Sequence, residues 1–424
     1  MLGSTLEVLS IFVITYLIII SEKLHRTTIA FVGAVLLILL KVIDFAEAVS
    51  FVDFHTIGLL IGMMIIVNIM KNTGVFQFIA IKSAKKTKGK PLQLLIILSI
   101  VTAVCSALLD NVTTVLLVVP VTIVITETLD INPIPFLISQ ILASNIGGAS
   151  TLIGDPPNIM IGSKTHLGFM DFVINLMPVT IIIMIVTLFI IQIIYKKQLI
   201  VDENNIKKIM NMDENLAISD KKLLIKSLLV ITLTLLGFVF HQFIGVESAV
   251  IALTGASILL LISKADPEYI FKKIEWPTIF FFVFLFILVG GLEHTGILDT
   301  LANQIVHITN GDLLLTALFI LWVSAILSAF LDNIPFVATM IPLIQSIGMQ
   351  SAFNTEPLWW ALALGACLGG NGTLIGASAN VVVAGILEKH NYKLSFGQYF
   401  KIAFPLMIVS IIISTIYLYL IYLR

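Results

Sequence analysis

Long apolar runs alternate with short polar breaks along the whole chain. Their spacing predicts helical spans near residues 5–21, 27–43 and 55–72, then a pair at 92–109 and 111–126 interrupted at Asp110-Asn111, then 132–162 and 172–195. After a charged stretch the pattern resumes near 223–243, 247–263 and 277–292, with a second interrupted pair at 312–331 and 333–350 broken at Asp332-Asn333, then 357–386 and 402–423. Runs of this length suit the hydrocarbon core of a bilayer. The pattern therefore predicts an all-α polytopic membrane protein. Composition agrees, because 58% hydrophobic and 12% charged residues leave no ordinary soluble surface.

The second half of the pattern repeats the first. Ser106-Ala107-Leu108-Leu109-Asp110-Asn111 returns 222 positions later as Ser328-Ala329-Phe330-Leu331-Asp332-Asn333. At the same offset, Gly147–Asn158 returns as Gly369–Asn380, Pro120 as Pro342, Thr73-Gly74 as Thr295-Gly296 and Gly33-Ala34 as Gly255-Ala256. An internal duplication in an apolar chain points to a transporter. We divide the chain into a first repeat, 1–195, a polar linker, 196–226, and a second repeat, 227–424. Met1–Ile20 has no cation ahead of its apolar run and reads as a retained first span.

Cation placement predicts the topology. If each interrupted pair is a re-entrant hairpin, each half has five transmembrane helices plus that hairpin; five is odd, so the two repeats have inverted topology. Segments 22–26, 82–90, 196–226, 264–275 and 387–401 then share one side, and they hold two, five, seven, three and three of the 24 Lys and Arg. The opposite loops, such as 44–53, are acidic or lack cations. By the positive-inside rule the lysine-rich side is cytoplasmic and both termini are extracytoplasmic.

Two kinds of element carry the candidate chemistry. Asp110-Asn111 and Asp332-Asn333 interrupt apolar runs near membrane depth, where a carboxylate is costly unless it faces protein, water or a cation. Each Asp also suits the N-cap of a returning half-helix. Asn145–Asn158 and Gly369–Asn380 are rich in Gly, Ser, Thr and Asn, and Pro156-Pro157 should break the first of them. Unwound segments expose carbonyls to a cation, and half-helix N-termini offer N–H groups to an anion. The alternative is close helix packing through small residues. The expected binding residues are Asp110, Asn111, Thr114, Asn145, Gly148, Asp155, Asn158, Asp332, Asn333, Asn371, Thr373 and Asn380, with Na⁺ held at Asp110, Asn111, Asp332 and Asn333 and no other cofactor. Asp155 stands apart, since its repeat partner is Ala377, so a titrating role is expected of it. Capping after Gly154 is its other reading. Cys105 and Cys367 do not correspond under the offset and read as small buried residues, not as a disulfide or a metal site. A net charge of −1 gives no argument for a nucleic-acid partner. An intramembrane aspartyl protease would want Gly-x-Gly-Asp; Leu152-Ile153-Gly154-Asp155 lacks the first Gly, so no enzyme activity is expected.

At Ser106–Pro120, Asn145–Ser163, Ser328–Pro342 and Gly365–Gly385 the chain resembles the ion transporter superfamily, specifically the group of P protein-like permeases, arsenite permeases and sodium/proton antiporters with a citrate-transporter-like domain. The resemblance extends over essentially the whole chain. It implies two inverted repeats, a scaffold and a mobile transport part, elevator-like movement and a homodimer. Dicarboxylate/sodium symporters of the superfamily have Ser-Asn-Thr at both hairpin tips. Counting back from Pro120 and Pro342, the triplets here are Asp110-Asn111-Val112 and Asp332-Asn333-Ile334, which add negative charge and remove a hydroxyl, and so argue against a di- or tricarboxylate substrate. The expectation is a secondary active transporter of a small inorganic ion, coupled to H⁺ or Na⁺, in a prokaryotic cell membrane. The alternatives are an arsenite, antimonite or other small-anion efflux permease, and an ion channel of the same fold.

Overall fold

The computed structural model describes residues 2–21, 23–351 and 353–424. Among them there is no strand. The first half runs α1 (Leu2–Ile20), α2 (Arg26–Leu39), α3 (Phe45–Ser50), α4 (Phe54–Lys71), α5 (Val75–Lys86), α6 (Pro91–Leu108), α7 (Asn111–Thr128), α8 (Ile134–Gly148), α9 (Pro156–Lys164) and α10 (Phe169–Tyr195). The linker forms α11 (Glu203–Met210) and a 3-10 turn (Glu214–Ala217). The second half runs α12 (Lys221–Ile244), α13 (Ser248–Ser263), α14 (Pro267–Lys272), α15 (Trp276–His294), α16 (Ile297–Ile308), α17 (Leu313–Phe330), α18 (Asn333–Gln350), α19 (Glu356–Gly369), α20 (Ser378–Lys389) and α21 (Phe396–Tyr422).

Adding 222 to the bounds of α6, 91 and 108, gives those of α17, 313 and 330; α3, α5 and α7 map in the same way onto α14, α16 and α18. The packing is reciprocal as well. Within each half, α6 lies on α8 and α17 on α19; between halves, α4 lies on α13 as α2 does on α15, and α7 on α20 as α9 does on α18. The halves are therefore not two separate bundles, since each contributes helices to the other's core. Among the described residues, eight helices are long and apolar enough to cross a membrane, α4, α6, α7, α10, α12, α15, α17 and α21, and α1, α2, α8 and α13 are shorter apolar helices.

The runs at 132–162 and 357–386 are each divided within their Gly-rich stretches into two helices, α8 with α9 and α19 with α20, separated by non-helical segments 149–155 and 370–377. Pro156-Pro157 does not interrupt a helix: the pair fills the first turn of α9, where a missing N–H costs nothing. The polar-looking connections after α4 and α15 contain α5 and α16. In α16 the buried Leu298 and Ala302 share a stripe while Asn303 and His307 are exposed, and this short amphipathic pattern is hidden in a search for long apolar runs. Gly74 and Gly296 start these helices with φ of 80° and 71°, a conformation that disfavours any residue with a Cβ.

The first hairpin begins and ends at the linker. Gly89, just ahead of α6, lies against Ile206, and Asn205 Nδ2 donates to Leu129 O, just after α7, at 3.3 Å. Lys85 Nζ donates to Glu214 Oε2 at 2.5 Å and to Met212 O at 3.0 Å, so the linker is pinned to α5. That bond draws the half-buried Glu214 carboxyl below its ordinary range.

Candidate functional site

Each broken crossing is wrapped around the tip of its own hairpin. Ser106 Oγ donates to Ser144 O at 2.6 Å and Thr151 Oγ1 to Ala107 O at 2.5 Å; the second half repeats this with Ser328 Oγ to Ala366 O at 2.7 Å and Thr373 Oγ1 to Ala329 O. The approach requires glycine, because a Cβ on Gly147 would overlap the backbone of Ala103, and one on Gly369 that of Ala325. At Gly148 a Cβ would meet Gly154 O at 2.5 Å. Gly148 thus shapes the break through close packing.

Asp110 and Asp332 are the N-caps of α7 and α18, accepting from Thr113 N at 2.8 Å and Ile334 N at 3.2 Å. Their second oxygens differ. Asp332 Oδ2 accepts from Arg26 Nη1 and, at 2.8 Å, from Ser378 Oγ, and Arg26 Nη1 also reaches Ser378 Oγ at 2.5 Å. Asp110 forms no ion pair among the described residues. The two aspartates expected to act alike are therefore electrostatically unlike.

The asparagines meet at the centre. Asn111 Nδ2 donates to Asn145 Oδ1 at 3.1 Å, and Asn145 Nδ2 donates to Asn371 Oδ1 at 2.9 Å and Asn380 Oδ1 at 3.0 Å. Asn380 Nδ2 in turn holds the carbonyls of Gly370 and Thr373, as Asn158 Nδ2 holds those of Ala149 and Thr151. These amides occupy carbonyls that the breaks would otherwise leave bare. Asn158 Oδ1 faces Cys367 Sγ at 3.6 Å.

Asp155 is fully buried. It stands at the N-cap position of α9 without a side-chain cap bond, so the capping reading does not hold. Its carboxylate faces Asn333 Nδ2 at 3.3 and 3.4 Å. No Lys, Arg or His among the described residues pairs with it. The contacts cross between the halves: Asp155 of the first half faces the second tip, and Asn371 and Asn380 of the second half face Asn145 of the first. The cause is the reciprocal packing of α7 on α20 and of α9 on α18. Thr114, one turn along α7, has a buried hydroxyl with no hydrogen-bond partner among the described residues.

Arg26, Ser378 and Cys367 were missing from the sequence-based set. Arg26 offered no signal, as it follows an ordinary span and counts among the cations expected on the cytoplasmic side. Cys367 did offer one: subtracting 222 gives Asn145, the residue that gathers the asparagines.

A cavity of about 450 Å³ reaches Asp332 from the end of the molecule that carries His25, Arg26 and Glu275. A second, about 290 Å³, runs along α7 at Thr113 between Asn68, Lys71 and Lys273, and Glu275 lines both. At the opposite end, cavities of about 410 and 380 Å³ reach Leu152, Ile159 and Met160 without touching either tip. Glu275, just ahead of α15, has its carboxyl pushed up to about 7 by burial, with the charge of Asp110 adding to the effect and Arg26 and Lys71 opposing it.

A polytopic helical fold with a duplicated hairpin, broken crossings and a buried polar centre defines a membrane transporter, with an ion or small solute as substrate and the lipid bilayer as its surroundings. Residues 16–365 match the Citrate transporter family, and the chain belongs to it. It is 41% identical to a 46 kDa membrane protein of Mycobacterium leprae, over 98% of each chain, and 42% identical to an uncharacterized transporter of Mycobacterium tuberculosis, over 97% of each. Human P protein is 35% identical over 95% of this chain and 58% of its own length. The fold is shared with the YdaH transporter of Alcanivorax borkumensis, whose crystal structure is described as revealing an unusual topology, at a TM-score of 0.58 and 11% identity over 98% of this chain and 97% of that one.

Proposed function

We propose that this chain is a secondary active transporter of a small ion, driven by H⁺ or Na⁺, in which two inverted repeats move the site between the two sides of the membrane. The observation that carries the reading is Asp155: a carboxylate wholly buried, facing a single amide of the opposite half. A buried ion without a counter-charge is expensive, and the cost falls when a proton or a metal cation binds it. Asp155 is then the coupling residue, Asn333 and Asn111 hold substrate or Na⁺ at the hairpin tips, and the Asn145 cluster ties the two sites together. Asp110 shares the Na⁺ role more readily than Asp332, whose charge is answered by Arg26.

The cavities at the lysine-rich end support a conformation open to the cytoplasm, and the interlocked packing of α7 with α20 and α9 with α18 supports an elevator in which hairpins and broken crossings travel as one body. The test is flux in proteoliposomes with a panel of ions under imposed pH and Na⁺ gradients. Uphill uptake driven by either gradient, lost in Asp155→Asn and Asp110→Asn, is the expected result. Currents far above carrier turnover that neither gradient drives uphill would replace the carrier with a channel.

A further inference from the structure

The repeat places a carboxylate and a threonine three residues apart at the start of two equivalent helices, Asp53 and Thr56 at α4 and Glu275 and Thr278 at α15. In both the threonine hydroxyl donates to the carboxylate, Thr56 Oγ1 to Asp53 Oδ2 at 2.7 Å and Thr278 Oγ1 to Glu275 Oε2 at 3.4 Å. The two pairs lie at opposite ends of the molecule, one beside the closed approach and one beside the open one.

Their engagement differs. Asp53 is buried; its oxygens accept from His55 N and Thr56 N, and also from Ser163 Oγ in the last turn of α9. Ser163 lines the cavity of about 410 Å³ and Asp53 the one of about 380 Å³, so this contact is part of the wall between them. Glu275 has no such partner on α20. The residue equivalent to Ser163 is Gly385, whose missing Cβ would meet nothing within 4 Å. The duplicated chain has thus kept a carboxylate at both ends and a hydroxyl to receive it at only one.

We propose that Asp53 is a positioning residue for transport, which through Ser163 holds α9, and with it Asp155 and Asn158, in the state closed to the extracytoplasmic side. The helix α9 joins the contact to the site directly, since Ser163 is in its last turn and Asp155 immediately precedes its first. When α9 moves, this hydrogen bond to a charged group breaks, so it weights the equilibrium toward the cytoplasm-open state. At the cytoplasmic end the position equivalent to Ser163 is Gly385, which has no hydroxyl to offer Glu275, and no equivalent bond weights the other state. The inference rests on the alternating-access reading above.

The test uses the full chain in proteoliposomes and in vesicles of both orientations, with Cys105 and Cys367 replaced by Ala. A cysteine at Met160, buried beside the 380 Å³ cavity, reports on the extracytoplasmic approach, and one at Val381, exposed in the 450 Å³ cavity, on the cytoplasmic approach. With an impermeant maleimide, Ser163→Ala should raise the labelling rate of the Met160 cysteine about ten-fold, as expected when a hydrogen bond to a charged group no longer favours one state. Ser163→Thr, which keeps the hydroxyl, should restore the original rate. Gly385→Ser should supply the missing hydroxyl and lower labelling of the Val381 cysteine from the cytoplasmic side. Unchanged labelling in Ser163→Ala overturns the proposal, even if coupled flux is found. Labelling that responds as described in a protein that shows no coupled flux leaves the contact intact and rejects the transport reading alone.

Discussion

Asn333 Nδ2 lies 3.3 and 3.4 Å from the two oxygens of Asp155, and this pair joins a hairpin tip of one half to a broken helix of the other. Its repeat equivalent, Asn111 and Ala377, has no carboxylate. At this pair of equivalent positions the duplicated framework therefore holds a carboxylate in one half and none in the other.

Asp155→Asn should abolish gradient-driven transport and at the same time raise the thermal midpoint. A neutral isostere removes the cost of an unpaired buried charge and keeps the contact to Asn333. Thermal unfolding in detergent at pH 7 checks the second half of this statement. A fall of several degrees would mean that the carboxylate has a structural partner.

Asn145→Ala should cost about 3 kcal/mol, because it strands the amides of Asn111, Asn371 and Asn380 in a buried position. Cys367→Ala, at the equivalent place, should cost less than half as much. Denaturant titration of the two variants side by side gives the comparison.

Arg26→Gln leaves Asp332 half-paired beside an open cavity. The expected loss is about 2 kcal/mol, below the cost for a fully buried pair because water reaches the guanidinium. Combining it with Asp332→Asn should recover most of that loss, since no charge is then left without an answer. A double variant no better than the single one would show that the pair is not coupled.

Glu275 titrates at about 7, above its ordinary value, because burial penalises the charged form. As pH rises from the ordinary glutamate value of 4.5 the unfolded chain gives up this proton while the folded protein keeps it up to about 7. Stability should therefore fall as pH rises from the ordinary value to about 7 and level off above it, and Glu275→Gln should flatten that slope. Thermal midpoints at an acidic and a neutral pH within that window, measured for both proteins, decide it.

Single cysteines at Lys88 and Gly311 should be labelled from opposite sides of the membrane, with Lys88 cytoplasmic. Labelling from the same side would end the inverted arrangement of the repeats.

Much of this molecule is legible in one dimension because the duplication is local. Residues 222 apart share the same neighbours in sequence, so hairpin tips, glycine-rich breaks and candidate asparagines could all be paired by inspection, and the long apolar runs could only be membrane helices. What inspection missed was of two kinds. The amphipathic α5 and α16 were hidden because their signals are short. The partnerships within the site were hidden because they join the halves: Asn333 with Asp155, Asn145 with Asn371 and Asn380, and Arg26 with Asp332 link residues 178, 226, 235 and 306 positions apart. Sequence alone determined which residues are equivalent. Which of them touch was decided only when each half packed its helices into the other, since burying both apolar faces required α9 to lie on α18 and α7 on α20.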